Sequence, residues 1–452
     1  MNGAAATDAG GAARAARGAE RWTIFILLLL YTLAYLDRQV ITLLIEPIRR
    51  DLGVGDVEMG FLQGMGFTLF FALAGPFLGW MVDRYRRRLI IWAGVSFWSL
   101  CTAACGLADT YGELLIARFG VGAGEAALLP AAYSIISDLV EKSRLSRAMA
   151  TFSLGAIAGG ALSFALGGAI IGLVARYGGA VLPLIGPVQP WQLVFLSIGA
   201  IGLPLATLVW AIHEPERRRS GGVPGSVSAG GMDHFRRHWR FYALHIAGFS
   251  LMCMITAAHV AWKATVLIRD YHWRVETIGW SMGLLSLICG AIGMYGSGVL
   301  ADWLFRRGWR DAHVRIYIFA LPVMAAAAAL AYSGQSIWLT LAGFAVLGLG
   351  SPFIAVAAAA LQLTTPPERR GLVSAVFLMV YNLVGFGLGP AAVALVSKLL
   401  FGEQGDIASA MAITFVAVTP LAMLCFALAG KPMREAAAAI AGTEEARGET
   451  TG

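Results

Sequence analysis

Four ionisable side chains sit where charge is costly: Asp37 and Arg38 in one apolar run, Arg118 and Glu125 in another. A charge near the centre of a bilayer costs roughly 2.5–3.5 kcal/mol on insertion scales, so each should face a partner or a cavity. With a helical rise of about 1.5 Å per residue, Asp37 lies about 12 Å below the outer end of its run and Arg118 about 8 Å below its own. The depths match, so an Asp37–Arg118 ion pair is expected. Glu125 follows Arg118 by seven residues, on the same helical face and two turns deeper, near the midplane. Gly122, Gly124, Ala126 and Ala127 leave room around it, and Arg38 is within long reach. Burial disfavours an ionised carboxylate and a neighbouring guanidinium favours it, so small rearrangements change its protonation. The set Asp37, Glu125, Arg38 and Arg118 therefore meets the requirement for coupling proton movement to conformation. A static ion-pair network holding helices together is the other reading.

Other candidates are less specific. His259 and Lys263 are four apart on one helical face. Lys263 is placed either to attract an anionic head group or to snorkel to the outer interface. Tyr31, Tyr35, Phe67, Phe71, Tyr133 and Tyr381, with Asn382 beside the last, could line an apolar substrate cavity or serve as ordinary packing. All five cysteines fall inside apolar runs, and no CxxC or Cys/His cluster has metal-ligand spacing, so no disulfide, metal or cofactor is expected. Gly155–Gly160 and Gly385–Pro390 lie inside apolar runs, which suits close helix contact rather than a phosphate loop. There is no Walker motif or nucleophile elbow, so neither ATP-driven work nor an enzyme is expected.

The elements that must hold these residues follow from composition. The chain of 452 residues is 58% hydrophobic and only 13% charged, with a mean hydropathy of +0.71. Apolar runs of about 20 residues, the length that spans a bilayer core, recur throughout. The first, Trp22 to Ile45, is too long for a signal-peptide core and is expected to remain as a membrane helix. The reading is an all-α polytopic membrane protein of twelve transmembrane helices in two pseudo-symmetric six-helix bundles, 22–212 and 241–430. A linker over 213–240 joins them, with tails at 1–21 and 431–452. Of 34 Lys and Arg, 25 lie in the tails and even-numbered loops. That asymmetry places both termini and the linker in the cytoplasm, and it accounts for the net charge of +7 without nucleic acid. The dominance of Arg over Lys, with abundant Ala and Gly, points to a bacterial inner membrane.

An internal repeat is visible at an offset of 219 residues. Gly60, Gly64, Gly79, Asp83, Arg87 and Arg88 align with Gly279, Gly283, Gly298, Asp302, Arg306 and Arg307. The repeat is parallel, as expected of two related bundles. The second half has uncharged residues at the positions corresponding to these four charges, so the proton chemistry would belong to the first.

Gly79-Trp-Met-Val-Asp83-Arg84-Tyr85-Arg86-Arg87-Arg88 resembles the GxxxDRxGRR signature of the major facilitator superfamily, with Arg86 in place of its second Gly. Arg118-Phe-Gly-Val-Gly122-Ala-Gly124-Glu125 resembles the RxxxGxG motif of its fourth helix. Within that superfamily, Tyr35 to Val54 looks like the first helix of Spinster-type lipid transporters, and Asn382 with Gly385, Gly387, Gly389 and Pro390 is similar to their eleventh. The resemblance implies alternating access by rocking bundles, usually proton-driven. Its implied substrate is amphipathic, since animal Spinster-like proteins move sphingosine-1-phosphate or lysophospholipids. Small organic anions or drugs are the alternative on the same fold. It also implies that Asp83 clamps the bundles on the cytoplasmic side. Arg84, Arg87, Arg88 and Asp302, with Asp138, Arg144 and Arg147 at the fourth-to-fifth helix turn, would be the rest of that gate. Partners are protons, membrane lipids and the amphipathic substrate; the expected unit is one chain.

Overall fold

The computed structural model describes residues 2–449 except 142–143, 177–179, 183–185, 213, 216–228, 352, 367–369 and 403–404. Within helices, the side chains of 2–17, 83, 145–147, 150, 174–176, 229–233, 370–371 and 441–449 also lie outside the described residues. Among the described residues, twelve helices are long and apolar enough to span a membrane. The first six are α1 (Gly18–Leu52), α2 (Asp56–Val82), α3 (Arg87–Cys105), α4 (Tyr111–Leu139), α5 (Thr151–Leu173) and α6 (Pro190–Ala211). The second six are α7 (His234–Arg269), α8 (Val275–Arg306), α9 (Ala312–Ala331), α10 (Ile337–Thr364), α11 (Leu372–Phe401) and α12 (Ile407–Ile440). A short antiparallel hairpin, β1 (Ala180–Leu182) with β2 (Gly186–Val188), lies between α5 and α6.

Local chemistry explains the starts and interruptions. At the start of α4 the Thr110 hydroxyl accepts from the Glu113 N–H, while the Glu113 carboxylate accepts from the backbone of Asp109 and Thr110. Pro190 opens α6 in the first turn, where a missing N–H costs nothing. The helix that contains α7 begins at Ala229, inside the stretch 213–240, and kinks at His238. In α2 the helix breaks at Gly64 between Asp56–Gln63 and Met65–Arg84. In α11, Tyr381–Leu388 winds as a π-helix just before Pro390. Proline lacks an N–H and crowds the carbonyl four residues earlier, which here is Phe386 inside the π stretch.

The described chain forms two compact units that do not coincide with the halves of the sequence. One comprises residues 1–54, 66–221 and 274–284; the other comprises 55–65, 222–273 and 285–452. In the first unit α1 lies along α5. A Cβ on Gly159 would stand only 2.3 Å from the Thr32 carbonyl oxygen, so glycine is required for that approach. The first turns of α8 also belong here: a Cβ on Gly279 would meet the Phe164 carbonyl at 2.4 Å. In the second unit the counterpart holds. A Cβ on Gly60, which the repeat aligns with Gly279, would meet the Pro390 carbonyl at 2.9 Å. Two glycines of the sequence repeat thus make equivalent backbone-to-backbone contacts. The second unit is filled by aromatic rings around the buried Phe249, which touches Tyr317, Phe353, Phe377 and Phe426.

Neighbouring glycines on α5 provide a test of this packing. A Cβ on Gly160 would meet nothing within 4 Å, unlike one on Gly159. Gly159→Ala should lower the thermal unfolding temperature of the detergent-solubilised protein, at a cost of roughly 1–3 kcal/mol for overpacking. Gly160→Ala should leave it within a degree or so. Equal effects from both would mean that the α1–α5 contact is not close.

Candidate functional site

Asp37 and Arg38 are consecutive on α1, about 100° apart around the helix, and they face different partners. Asp37 Oδ1 lies 3.4 Å from Arg118 Nη1, and the Thr102 hydroxyl donates to its other oxygen. Asp37 and Arg118 are both fully buried. Arg38 Nη2 donates to Glu125 Oε2 at 2.9 Å, with side-chain exposures of 15% and 1%. Three rings surround the Arg38 guanidinium: Phe67 at 4.3 Å, Phe71 at 5.1 Å and Tyr35 at 5.2 Å. The Phe67 ring is also 5.8 Å from Arg118, so it contacts both cations. The remaining carboxylate oxygen of Glu125, Oε1, is buried with no hydrogen-bond partner among the described residues.

Glu125 also ends a helical segment. The first part of α4 stops at Glu125 and the next begins at Leu128. The cause lies in the sequence: Pro130 has no N–H for the Ala126 carbonyl and its ring crowds it. The α-helical run is therefore interrupted just after Glu125.

The expected aromatic residues gather in part. Tyr31 packs against Tyr35 and stacks on Phe152, which also touches Tyr133. In the second unit, His259 Nδ1 is 2.7 Å from the Tyr332 hydroxyl. Lys263 donates to Ser286 at 2.9 Å and is buried. Tyr381 is buried among Phe353, Phe377 and Phe386, and Asn382 donates to the Leu378 carbonyl at 2.7 Å.

At the turn between α2 and α3, Arg87 is almost wholly buried. It pairs with Asp138 and donates to the Ser134 hydroxyl at 3.1 Å. Its backbone N–H donates to Glu214 at 2.8 Å, and the same carboxylate accepts from Arg88 Nε at 3.2 Å. Arg144 reaches Glu20 through both terminal nitrogens, at 3.1 and 3.2 Å. Arg84 stacks on Trp80. Asp302 is exposed at the corresponding end of α8. The side chains of Asp83 and Arg147 lie outside the described residues.

The sequence profile described as Major Facilitator Superfamily matches residues 27–333. The chain belongs to the major facilitator superfamily. Among curated relatives, an "MFS-type efflux pump" of Mycolicibacterium smegmatis is 27% identical over 414 residues, covering 90% of this chain and 92% of that protein. "Protein spinster" of Drosophila melanogaster is 23% identical over 398 residues, 85% of this chain but 63% of the fly protein. A solved bacterial homolog of the human lysosomal transporter Spinster, inward-facing and unoccupied, has a TM-score of 0.78 at 24% identity, over 94% of this chain and 98% of that one. The chain is thus a major facilitator whose sequence and twelve-helix fold are similar to those of Spinster-type proteins.

Several partners in this major facilitator escaped the sequence reading. Glu214, which holds Arg87 and Arg88, sits in a polar stretch among many charges; the Glu-Pro pair directly after α6 was its only signal. Thr102 and Phe152 are ordinary residues of apolar spans. Asp56 at the start of α2 and Arg269 at the end of α7 form a two-point ion pair at 2.6 and 2.7 Å, where Arg269 had counted only toward orientation.

The charge network makes a further expectation. Arg38→Ala removes the partner of a buried carboxylate, a loss of about 3–5 kcal/mol for a broken buried pair. Adding Glu125→Gln should restore much of the stability, because the amide needs no counter-ion. Thermal unfolding of the two single variants and the double variant measures the coupling; additive losses would mean that the pair does not form.

Proposed function

We propose that this transporter is proton-coupled and moves an amphipathic, lysolipid- or sphingolipid-like molecule by alternating access. The observation that carries the proton part is the pairing of two consecutive residues, Asp37 and Arg38, with Arg118 and Glu125. The two pairs are not equivalent. Arg118 is fully buried, so neutralising Asp37 would strand a cation in apolar surroundings. Arg38 is partly exposed and ringed by aromatic faces that attract a cation, so it tolerates losing its carboxylate. Glu125 is therefore the principal proton acceptor and Asp37 the lesser one. A proton on Glu125 cancels the ion pair, frees Arg38 and biases the interrupted segment after Glu125 toward a second arrangement. One pKa unit corresponds to about 1.4 kcal/mol, so modest changes in two coupled sites suffice to shift a two-state equilibrium.

The lipid-like substrate rests on the Spinster resemblance and on the cluster of Tyr31, Tyr35, Tyr133 and Phe152 beside Arg38, which offers apolar rings next to a releasable cation. Drugs or small organic anions are the second reading, favoured by the similarity to the mycobacterial efflux pump. Asp83 and the anchored Arg87 would serve the gate on the side of the α2–α3 turn. The charge asymmetry puts that side, with both termini, in the cytoplasm of a bacterial inner membrane.

Reconstitution into proteoliposomes with an imposed proton gradient tests this reading. Wild-type protein should accumulate a single-chain lysophospholipid against its gradient. Glu125→Gln should abolish accumulation while leaving downhill exchange, and Asp37→Asn should impair it less. If the double variant still drives uphill movement, the pairs are structural and coupling lies elsewhere. Accumulation of a drug or an organic acid, with no lysolipid moved, would select the second reading.

A further inference from the structure

We propose that a lateral groove between α2, α3 and α4 holds one acyl chain of an anionic phospholipid, whose phosphate is held by Arg84 and Arg86. The groove has a volume of about 320 Å³ and is lined by Ala74, Phe77, Met81, Ala93, Phe97 and Gly124, among others. Its lining is almost entirely apolar and its rims, Phe77 and Phe97, are exposed, so in a membrane it opens toward lipid tails. The floor is formed by close helix contact: a Cβ on Gly94 would stand 2.7 Å from the Ala127 Cβ. An apolar recess of this kind accepts hydrocarbon and rejects a head group, which must sit at its mouth.

The mouth carries the matching charge. Met81 lies one turn before Arg84, and the groove residue Ile90 lies one turn after Arg86. Of the arginines in this turn, Arg87 and Arg88 are committed to Asp138 and Glu214. Arg84 and Arg86 are exposed and form no ion pair among the described residues. Trp80 stacks on Phe77 below and on the Arg84 guanidinium above, so one indole joins the apolar wall to the charged mouth. Arg86 stands where the superfamily signature has glycine, so the second uncommitted cation is a departure of this chain. Two cations over an apolar slot complement a lipid with a net negative head group better than a zwitterionic one. At the deep end, Gly124 places the acyl chain against the backbone next to Glu125. The inference stands on the groove and its arginines and does not depend on proton coupling.

Native mass spectrometry of the full-length protein, with equal amounts of phosphatidylglycerol and phosphatidylcholine of the same chain length, tests it. Wild type should retain phosphatidylglycerol preferentially. Arg86→Gly should lower that retention roughly five-fold, the effect of one basic residue near a lipid surface, with phosphatidylcholine unchanged. Ala93→Phe fills the slot from an exposed position and should lower retention of both lipids; Ala93→Leu serves if the larger change unfolds the protein. Arg310→Gly, at another exposed arginine outside the spans, should change neither. If Arg86→Gly acts no more strongly than Arg310→Gly, attraction is diffuse and the phosphate site is refuted. If filling the slot leaves phosphatidylglycerol retention intact, the acyl site is refuted.

Discussion

Charge neutrality inside an apolar medium is the condition on which the first unit rests. Asp37, Arg38, Arg118 and Glu125 lie well inside its spans, two of each sign, and they are divided into two pairs by the accident that Asp37 and Arg38 are adjacent on one helix. Because successive residues point in different directions, α1 must face Arg118 and Glu125 at once, which fixes its rotation and its depth against α4. Phe67 of α2 is then held against both guanidinium groups. The pairs therefore orient three helices as well as cancelling charge.

Much of this was legible in the sequence for a simple reason. Lipid demands about 20 apolar residues per span and leaves polar exceptions conspicuous, so Asp37, Arg38, Arg118 and Glu125 stood out, and helical rise alone matched the depths of the first pair. What escaped were partners with no pattern of their own. Phe152 is one aromatic residue in an apolar span, and Glu214 is one acid in a polar stretch; only folding distinguishes them from their neighbours. The partner of Lys263 is Ser286, which lies 23 residues away on another helix and had no pattern to mark it. The Pro130 rule, by contrast, was available: a proline five residues beyond Glu125 already implied the break after that carboxylate.

The repeat adds a different kind of information. Gly60 and Gly279 recur at the same offset as the charged turns, and both are points where one backbone meets a carbonyl of another helix. The turn signatures and the glycine contacts are thus duplicated, while the Asp37–Arg118 and Arg38–Glu125 pairs have no charged counterpart at the same offset in the second half. Packing follows the symmetry of the chain, and electrostatics breaks it.

The π-wound stretch of α11, Tyr381–Leu388, has a consequence for how chain length is read. Each turn there holds more residues than an α-turn, so the face presented after Gly389 lags behind the one expected from Leu372–Val380. Removing one residue from the stretch would let it rewind as α-helix while the segments on either side keep nearly their present facing. Gly389, which presses on Met254 of α7, would then keep its contact. Between relatives that differ by a single residue in this stretch, the winding of the stretch rather than the facing of the helix absorbs the difference in length.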